Sequence, residues 1–290
     1  MPTERLDVRK TFKLFIGGAF PRSESGRSYA VTDADGKFLA HAAQASRKDA
    51  RDAVVAARGA CAGWSMTTAY NRGQILYRVA EVMEGRRDQF AAQVAAAEGA
   101  SSDEADTAVS AAVDRWVWYA GWCDKLAQVL GGANPVAGPY FDFSLPEPTG
   151  VVAVVAPQGS SLLGLVSVVA PVLVSGCTAV VVASEHRPLG AVTLAEVLAT
   201  SDVPKGVVNV LTGRVSELAP VLAAHMDVNA IDLTGVESDD QATALERAAA
   251  DNVKRVFRPA DGSADWDADP GLERIRAFVE IKTVWHPIGI

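Results

Sequence analysis

Cysteine is scarce in this chain: Cys61, Cys123 and Cys177 are the three present among 290 residues. They lie far apart, with no CxxC pair and no zinc-type spacing, which excludes a structural zinc site and a disulfide framework. Reduced thiols in a cytoplasmic setting are the expectation. A basic surplus is missing too: 27 Lys and Arg against 35 Asp and Glu leave a net charge of -8. Without cations to release counterions, neither nucleic acid nor an anionic membrane is expected as the main partner. Long apolar runs are also absent. The longest, Leu162 to Val174, carries Ser167 and Pro171 and is too short to span a bilayer. The opening Met1-Pro2-Thr3-Glu4-Arg5 holds no apolar signal region.

What is present reads as an ordinary globular balance, 49% apolar and 21% charged. Lys13-Leu14-Phe15-Ile16 and Tyr29-Ala30-Val31-Thr32 read as short strands, with a turn at Asp35-Gly36. Ser46 with Asp49 forms a capping-box pattern, and Ala-rich helical stretches follow from about Arg47 to Gly63, Thr68 to Gly99 and Asp103 to Leu130. Gly131 to Pro135 ends that layer, and Tyr140 to Leu145 alternates as a strand should. Four β-branched runs then appear, at Gly150–Ala156, Thr178–Val182, Gly206–Leu211 and Ala230–Leu233, each followed by a helical pattern. Val253 to Phe257 fits a fifth. Continuous apolar strands alternating with helices predict an α/β fold with a Rossmann-like parallel sheet covered on both faces. The expected plan is a β arm over 1–45, a helical layer over 46–135 and a bridging strand over 136–149. The Rossmann-like domain follows over 150–258, then a loop over 259–275 and a C-terminal strand over 276–290.

Three stretches resemble the aldehyde dehydrogenase superfamily. Glu147-Pro148-Thr149-Gly150-Val151-Val152 is similar to the entry into its cofactor domain. Pro204-Lys205-Gly206-Val207-Val208-Asn209-Val210-Leu211-Thr212-Gly213 resembles its PPGVVNVVTG run. The tail Glu280-Ile281-Lys282-Thr283-Val284-Trp285 resembles its C-terminal oligomerisation strand. Cys61-Ala62-Gly63-Trp64-Ser65 and Arg72-Gly73-Gln74-Ile75-Leu76 fit its early helices. The likeness runs from about residue 12 to 256 and resumes at the tail. It implies an NAD(P)-dependent aldehyde oxidoreductase scaffold with an oligomerisation strand that joins a sheet in a neighbouring subunit.

The departures from the family pattern fall on its chemistry. The Pro-Trp-Asn-Phe-Pro turn is here Pro157-Gln158-Gly159-Ser160-Ser161, so the Asn amide that helps hold the oxyanion is replaced by Gly159. The ribose-binding Lys and Glu correspond to Val182 and Glu185, and only Glu185 survives as a candidate cofactor contact. In the glycine-rich loop Gly213 is kept, while Val215 and Ala219 replace glycines. The loop facing the pyrophosphate reads Thr234-Gly235-Val236-Glu237-Ser238-Asp239-Asp240 and places acid where phosphate would rest. The Glu-Leu-Gly-Gly-Lys segment with the general base gives way to Phe257-Arg258-Pro259-Ala260, and no cysteine follows Cys177.

The expectation is a truncated member lacking the catalytic domain and the catalytic cysteine: a non-catalytic subunit that assembles with a full-length aldehyde dehydrogenase, with itself, or with both. Glu280, Ile281, Lys282, Thr283, Val284 and Trp285 are the expected interface. No metal site is expected, and no cofactor beyond weak NAD(P) at Glu185 and Gly213. Two alternatives stand beside this reading: a nucleotide- or metabolite-binding module, and an active NAD(P)-dependent aldehyde oxidoreductase. The cysteines are expected as small buried or half-buried apolar residues, His225 as a surface or capping residue, and Trp116, Trp118, Tyr119 and Trp122 as core or interface anchors.

Overall fold

The computed structural model describes residues 9–259 and 264–289. The opening Met1 to Arg5 and the four residues 260–263 of the expected loop lie outside them. An N-terminal arm comprises β1 (Thr11–Phe12), β2 (Ser28–Thr32) and β3 (Phe38–Ala43), with β3 in the centre of its sheet. A helical layer follows: α1 (Arg47–Met66), α2 (Ala69–Glu84), α3 (Arg87–Glu98), α4 (Ser102–Ala120) and α5 (Leu126–Leu130). The chain continues through β4 (Gly132–Asn134) and β5 (Tyr140–Pro148) into alternating strands and helices. These are β6 (Val151–Val155), α6 (Leu163–Val174), β7 (Thr178–Val182), α7 (Leu189–Ala199), β8 (Val208–Leu211) and α8 (Val215–Ala224). The alternation ends with β9 (Ala230–Asp232), α9 (Asp239–Ala250) and β10 (Arg255–Phe257). Short α10 (Glu273–Ala277) then leads into β11 (Val279–Pro287).

The α/β architecture is as the β-branched runs predict. Five parallel strands lie in the order β10-β9-β6-β7-β8. Alternate residues of β6 face opposite cores. Val152 and Val154 pack with α2, α4, α6 and α7, whereas Val151, Ala153 and Val155 pack with α1, α8 and α9. Every residue of α6 is buried. A helix apolar all round needs cover on every side, which here comes from the sheet, α4 and α10. Each fully buried Val or Leu stabilises the fold by about 1.5–3 kcal/mol.

The Ser46–Asp49 capping box is present at the head of α1. A second box, Ser101 with Glu104, starts α4. The expected stretch from Thr68 to Gly99 is broken at Gly85–Arg86, and the one from Asp103 to Leu130 is broken across Gly121–Lys125. Gly131 to Pro135 contains a strand, β4, and α10 begins near the end of the segment read as a loop. Trp116 and Tyr119 are fully buried, while Trp118 and Trp122 are half-buried at the surface of the same core.

The tail strand pairs within its own chain and leaves its other edge open. β11 pairs antiparallel with β5 of its own chain, from Val279 opposite Pro148 to Pro287 opposite Tyr140. The reason is local. Buried Phe278 anchors the start of β11, and its carbonyl accepts from Thr149 N at 3.1 Å and from the Cys177 thiol at 3.3 Å. Farther along, Thr283 and Ser144 hydroxyls bond at 2.9 Å, Lys282 pairs with Glu147 at 3.0 Å, and Trp285 meets Tyr140 edge-on. β11 is the edge of its sheet, in the order β11-β5-β4. No helix among the described residues is long and apolar enough to cross a membrane.

Candidate functional site: a crevice at the strand-order reversal

Strand β6 has β7 on one side and β9 on the other, so the sheet order reverses at β6. In open α/β sheets, ligands enter outside the carboxyl ends of the strands at such a point. A cleft of about 1180 Å³ opens there, lined by Pro157 to Ser160 after β6, Leu233 to Glu237 after β9, Arg258 and Pro259 after β10, and Trp266. Gly235 lets the β9 turn lie against β6: its N–H donates to Val155 O at 2.9 Å, and an added Cβ would fall 1.9 Å from Ala156 O.

The loop after β6 is tied down by its own polar groups. Gln158 Nε2 donates to Ala156 O at 2.8 Å, and Gln158 Oε1 accepts from Glu185 N at 2.9 Å. Arg187 donates to Gly159 O. Ser160 Oγ accepts from Gly164 N at 2.9 Å in the first turn of α6. Gly159 supplies no side-chain donor to the crevice.

Helix N-termini attract anions through unpaired N–H groups and the helix dipole. Two helices, α6 and α9, begin on this crevice, and each already holds acid from this chain. Just ahead of α6, Glu98 accepts from both the N–H and the hydroxyl of Ser161 at 2.6 Å. Outside the lining, at the head of α8, Glu185 accepts from Val215 N and pairs with Arg214 at 3.2 Å. At α9, Ser238 caps Gln241 N, and Asp239 and Asp240 occupy the first turn. Asp103, Glu104, Glu237, Asp239, Asp265 and Asp267 join Glu98 on the lining, and Arg258 is the single cation there among the described residues. Arg258 is itself held by Asp239 at 2.7 Å and Glu246 at 3.4 Å.

The structure places each expected site residue. Glu185 is half-buried at the head of α8 and engaged as above. Gly213, at φ +147°, lies against the arm, where an added Cβ would come within 3.1 Å of Ala45 N. Val182 is buried in β7, and Val215 and Ala219 are buried where α8 packs on the sheet. Glu280 to Thr283 and Trp285 are exposed, with Trp285 at 58%, and Val284 is half-buried. His225 ends α8, with Nδ1 accepting from Asp227 N at 3.2 Å. No metal-ligating cluster occurs among the described residues.

Sequence reasoning missed a buried polar cluster beside the crevice. Asp232, at the end of β9, is fully buried and pairs with Arg274 of α10 at 3.0 Å; Arg274 also donates to Thr234 Oγ1 at 3.0 Å. Burial pushes the Asp232 carboxyl above its ordinary range, and Arg274 opposes that shift. No spacing signal joins residues 42 apart, and a lone Asp ending an apolar strand was the sole hint.

All three cysteines are free thiols. Burial pushes Cys123 and Cys177 up to about 11. At pH 8 such thiols are about one part in a thousand thiolate, and thiolate is the nucleophile. In the native protein only half-buried Cys61 should take up iodoacetamide at pH 8, as read by peptide mass spectrometry; labelling of Cys177 at a similar rate would contradict this geometry.

Fold and crevice together define a Rossmann-like α/β protein with a helical layer and a small antiparallel sheet. The profile described as "Aldehyde dehydrogenase family" matches residues 20–265. The chain belongs to the aldehyde dehydrogenase family. It is 32% identical over 268 residues to putative aldehyde dehydrogenase DhaS of Bacillus subtilis, covering 90% of this chain and 53% of that one. It is 33% identical over 269 residues to mouse cytosolic 10-formyltetrahydrofolate dehydrogenase, covering 90% of this chain and 29% of that one. An NAD+ complex of aldehyde dehydrogenase from Bacillus cereus superposes with a TM-score of 0.79 at 28% identity, over 85% of this chain and 50% of that chain. HpcC from Thermus thermophilus gives a TM-score of 0.79 at 29% identity, over 85% of this chain and 47% of its own. The chain thus spans about half or less of the length of these relatives.

Proposed function

We propose that this chain is a non-catalytic aldehyde dehydrogenase-like subunit that assembles with a full-length aldehyde dehydrogenase and stabilises or regulates it. The observation that carries this reading is the acid already seated at the helix N-termini of the crevice. A dinucleotide's diphosphate does not fit that lining. Like charges at 4–6 Å oppose each other by roughly 1–4 kcal/mol at intermediate dielectric, which lowers affinity by about one to three decades.

Two further features support it. The buried thiols are poor nucleophiles, and β10 passes through Arg258 and Pro259 toward α10 where the resemblance calls for the general-base segment. The means of assembly remains: β11 presents an unpaired edge with Ile281 and Trp285 exposed, and strand edges recruit partners. Glu280 to Trp285 is the surface we assign to that contact, and pairing of two copies there would give a homo-oligomer.

The purified chain should show no aldehyde-dependent NAD(P) reduction. Co-expressed with a full-length aldehyde dehydrogenase from the same cells, it should appear in native mass spectra as a mixed complex, lost on Ile281→Lys with Trp285→Ala. A chain that stays alone, or that turns aldehyde over by itself, would defeat the proposal. Family membership favours a second reading, an active NAD(P)-dependent aldehyde oxidoreductase. Turnover by the isolated chain, abolished by Cys177→Ser, would establish it.

A further inference from the structure

The outer edge of β11 carries a self-complementary pattern. Two backbone bonds fix which residues face inward. Ile288 N donates to Pro139 O at 2.8 Å, and Thr149 N donates to Phe278 O at 3.1 Å. Between these ends the register with β5 runs without a shift. Backbone groups of successive residues in an antiparallel pair point alternately to the two sides. The even-numbered residues from Phe278 to Ile288 therefore bond β5, and Ile281, Thr283 and Trp285 turn their N–H and C=O groups outward. The prolines agree: Pro146 and Pro148, which have no N–H, lie opposite Ile281 and Val279, where no bond to β11 is made. Buried Val279 bounds the open edge at one end, and Pro287 bounds it at the other. Ile281 is 52% exposed and Trp285 58%.

We propose that β11 pairs antiparallel with β11 of a second copy, with Thr283 on the two-fold axis, so that two three-stranded sheets become one. In this register Thr283 meets Thr283 and Ile281 meets Trp285 in both directions, so every outward N–H and C=O of all three residues finds a partner. The side chains match as well. Ile281 against Trp285 is an aromatic–β-branched pair, and Thr against Thr pairs hydroxyls. Glu280 faces His286 and Lys282 faces Val284, so no like charges meet. The neighbouring registers fail. Lys282 on the axis would set two ammonium groups opposite each other and put Trp285 against buried Val279. Val284 on the axis would put Ile281 against Pro287, whose missing N–H leaves the Ile281 carbonyl unpaired. The proposal rests on the assignment of Glu280 to Trp285 as the assembly contact, and it supplies the form this edge takes when no full-length enzyme is present. A paired edge is shielded from unselective strand addition. Homodimer and mixed complex exclude one another, because both use the same backbone groups.

Single cysteines in a Cys61→Ser background read the register by oxidative cross-linking, with native mass spectrometry for assembly and circular dichroism as the check on folding. Directly bonded antiparallel partners sit about 5.5 Å apart at Cα, inside the span of a disulfide. Thr283→Cys should cross-link to itself. Ile281→Cys and Trp285→Cys should not do so when each is alone, and an equal mixture of the two should. The wild-type chain should be dimeric. Thr283→Pro removes an outward N–H and no backbone bond to β5, so it should be a folded monomer. A monomeric wild type, a folded Thr283→Pro that stays dimeric, or Ile281→Cys that cross-links alone as fast as Thr283→Cys overturns the pairing. Adding a full-length aldehyde dehydrogenase from the same cells should lower the yield of the Thr283→Cys cross-link. A chain that is monomeric by itself yet forms the mixed complex sinks the self-pairing and spares the subunit reading. A Thr283→Cys cross-link beside no mixed complex does the reverse.

Discussion

Replacing Arg274 by alanine is expected to destabilise the fold by roughly 3–5 kcal/mol at neutral pH, because it leaves a charged carboxylate buried without its partner. Asp232 is completely buried, and Arg274 supplies its ion pair. The pH dependence follows from the sign of the shift. Burial raises the folded Asp232 above its ordinary value of 3.8, against the pull of Arg274. A raised carboxyl contributes its stability below the unfolded value and loses it as pH climbs through the folded one. Removing Arg274 raises the folded carboxyl further and steepens that loss. The deficit of Arg274→Ala relative to wild type should therefore be smaller at pH 5 than at pH 8 in urea denaturation followed by circular dichroism. Arg274→Met combined with Asp232→Asn should lie closer to wild type than Arg274→Ala at pH 8, since a neutral pair removes the buried charge. A deficit that is equal at both pH values, or a double variant no better than the single, would show that Asp232 is not the source of the cost.

The parallel sheet was legible because burial on both faces leaves nothing polar to interrupt a strand. Val151 to Val155 and Thr178 to Val182 are continuous, and both are wholly buried. The weaker strands hide for the opposite reason. Phe38 to Ala43 is alanine-rich with few β-branched residues. Gly132-Ala133-Asn134 has the composition of a turn. The break at Gly85–Arg86 is marked by no proline, so apolar spacing runs straight across it. At the site, the acidic run after β9 was readable as a pattern, since capping chemistry is local. The carboxylates Glu98 and Glu185 were not readable in their observed places. Each serves a helix head from a different element, Glu98 from 63 residues before Ser161. Trp266 lay in an Asp- and Gly-rich stretch that local rules assign to loop, and only long-range packing puts it on the crevice lining. Asn209, inside the run that resembles the family, turns out to be structural: its amide donates to Gly206 O at 2.8 Å and its Oδ1 accepts from Gly17 N at 2.9 Å, which ties down the arm.

Gly235→Ala is expected to cost about 3 kcal/mol or more, the upper range for overpacking a core. The added methyl would sit 1.9 Å from Ala156 O, 2.5 Å from Ala156 C and 2.8 Å from Val155 O. All three are backbone atoms, so no side chain can turn aside, and β6 would have to part from the β9 turn. Gly159→Ala, in the adjacent loop, meets nothing within 4 Å and should stay within about 0.5 kcal/mol of wild type. Chemical denaturation of the two variants measures the contrast, and equal midpoints would contradict it. The pair also separates two reasons for a glycine at a nucleotide-type crevice. If Gly235 served only to let a ligand's backbone contacts form, a chain with acid on its helix heads could lose it freely. Its steric position says otherwise: the Thr234-Gly235 turn is required to seat β9 against β6 whether or not anything binds. Retention of that family glycine therefore reports on packing, whereas the acid at Glu237 and Asp239 and the exchange of an amide for Gly159 report on the chemistry.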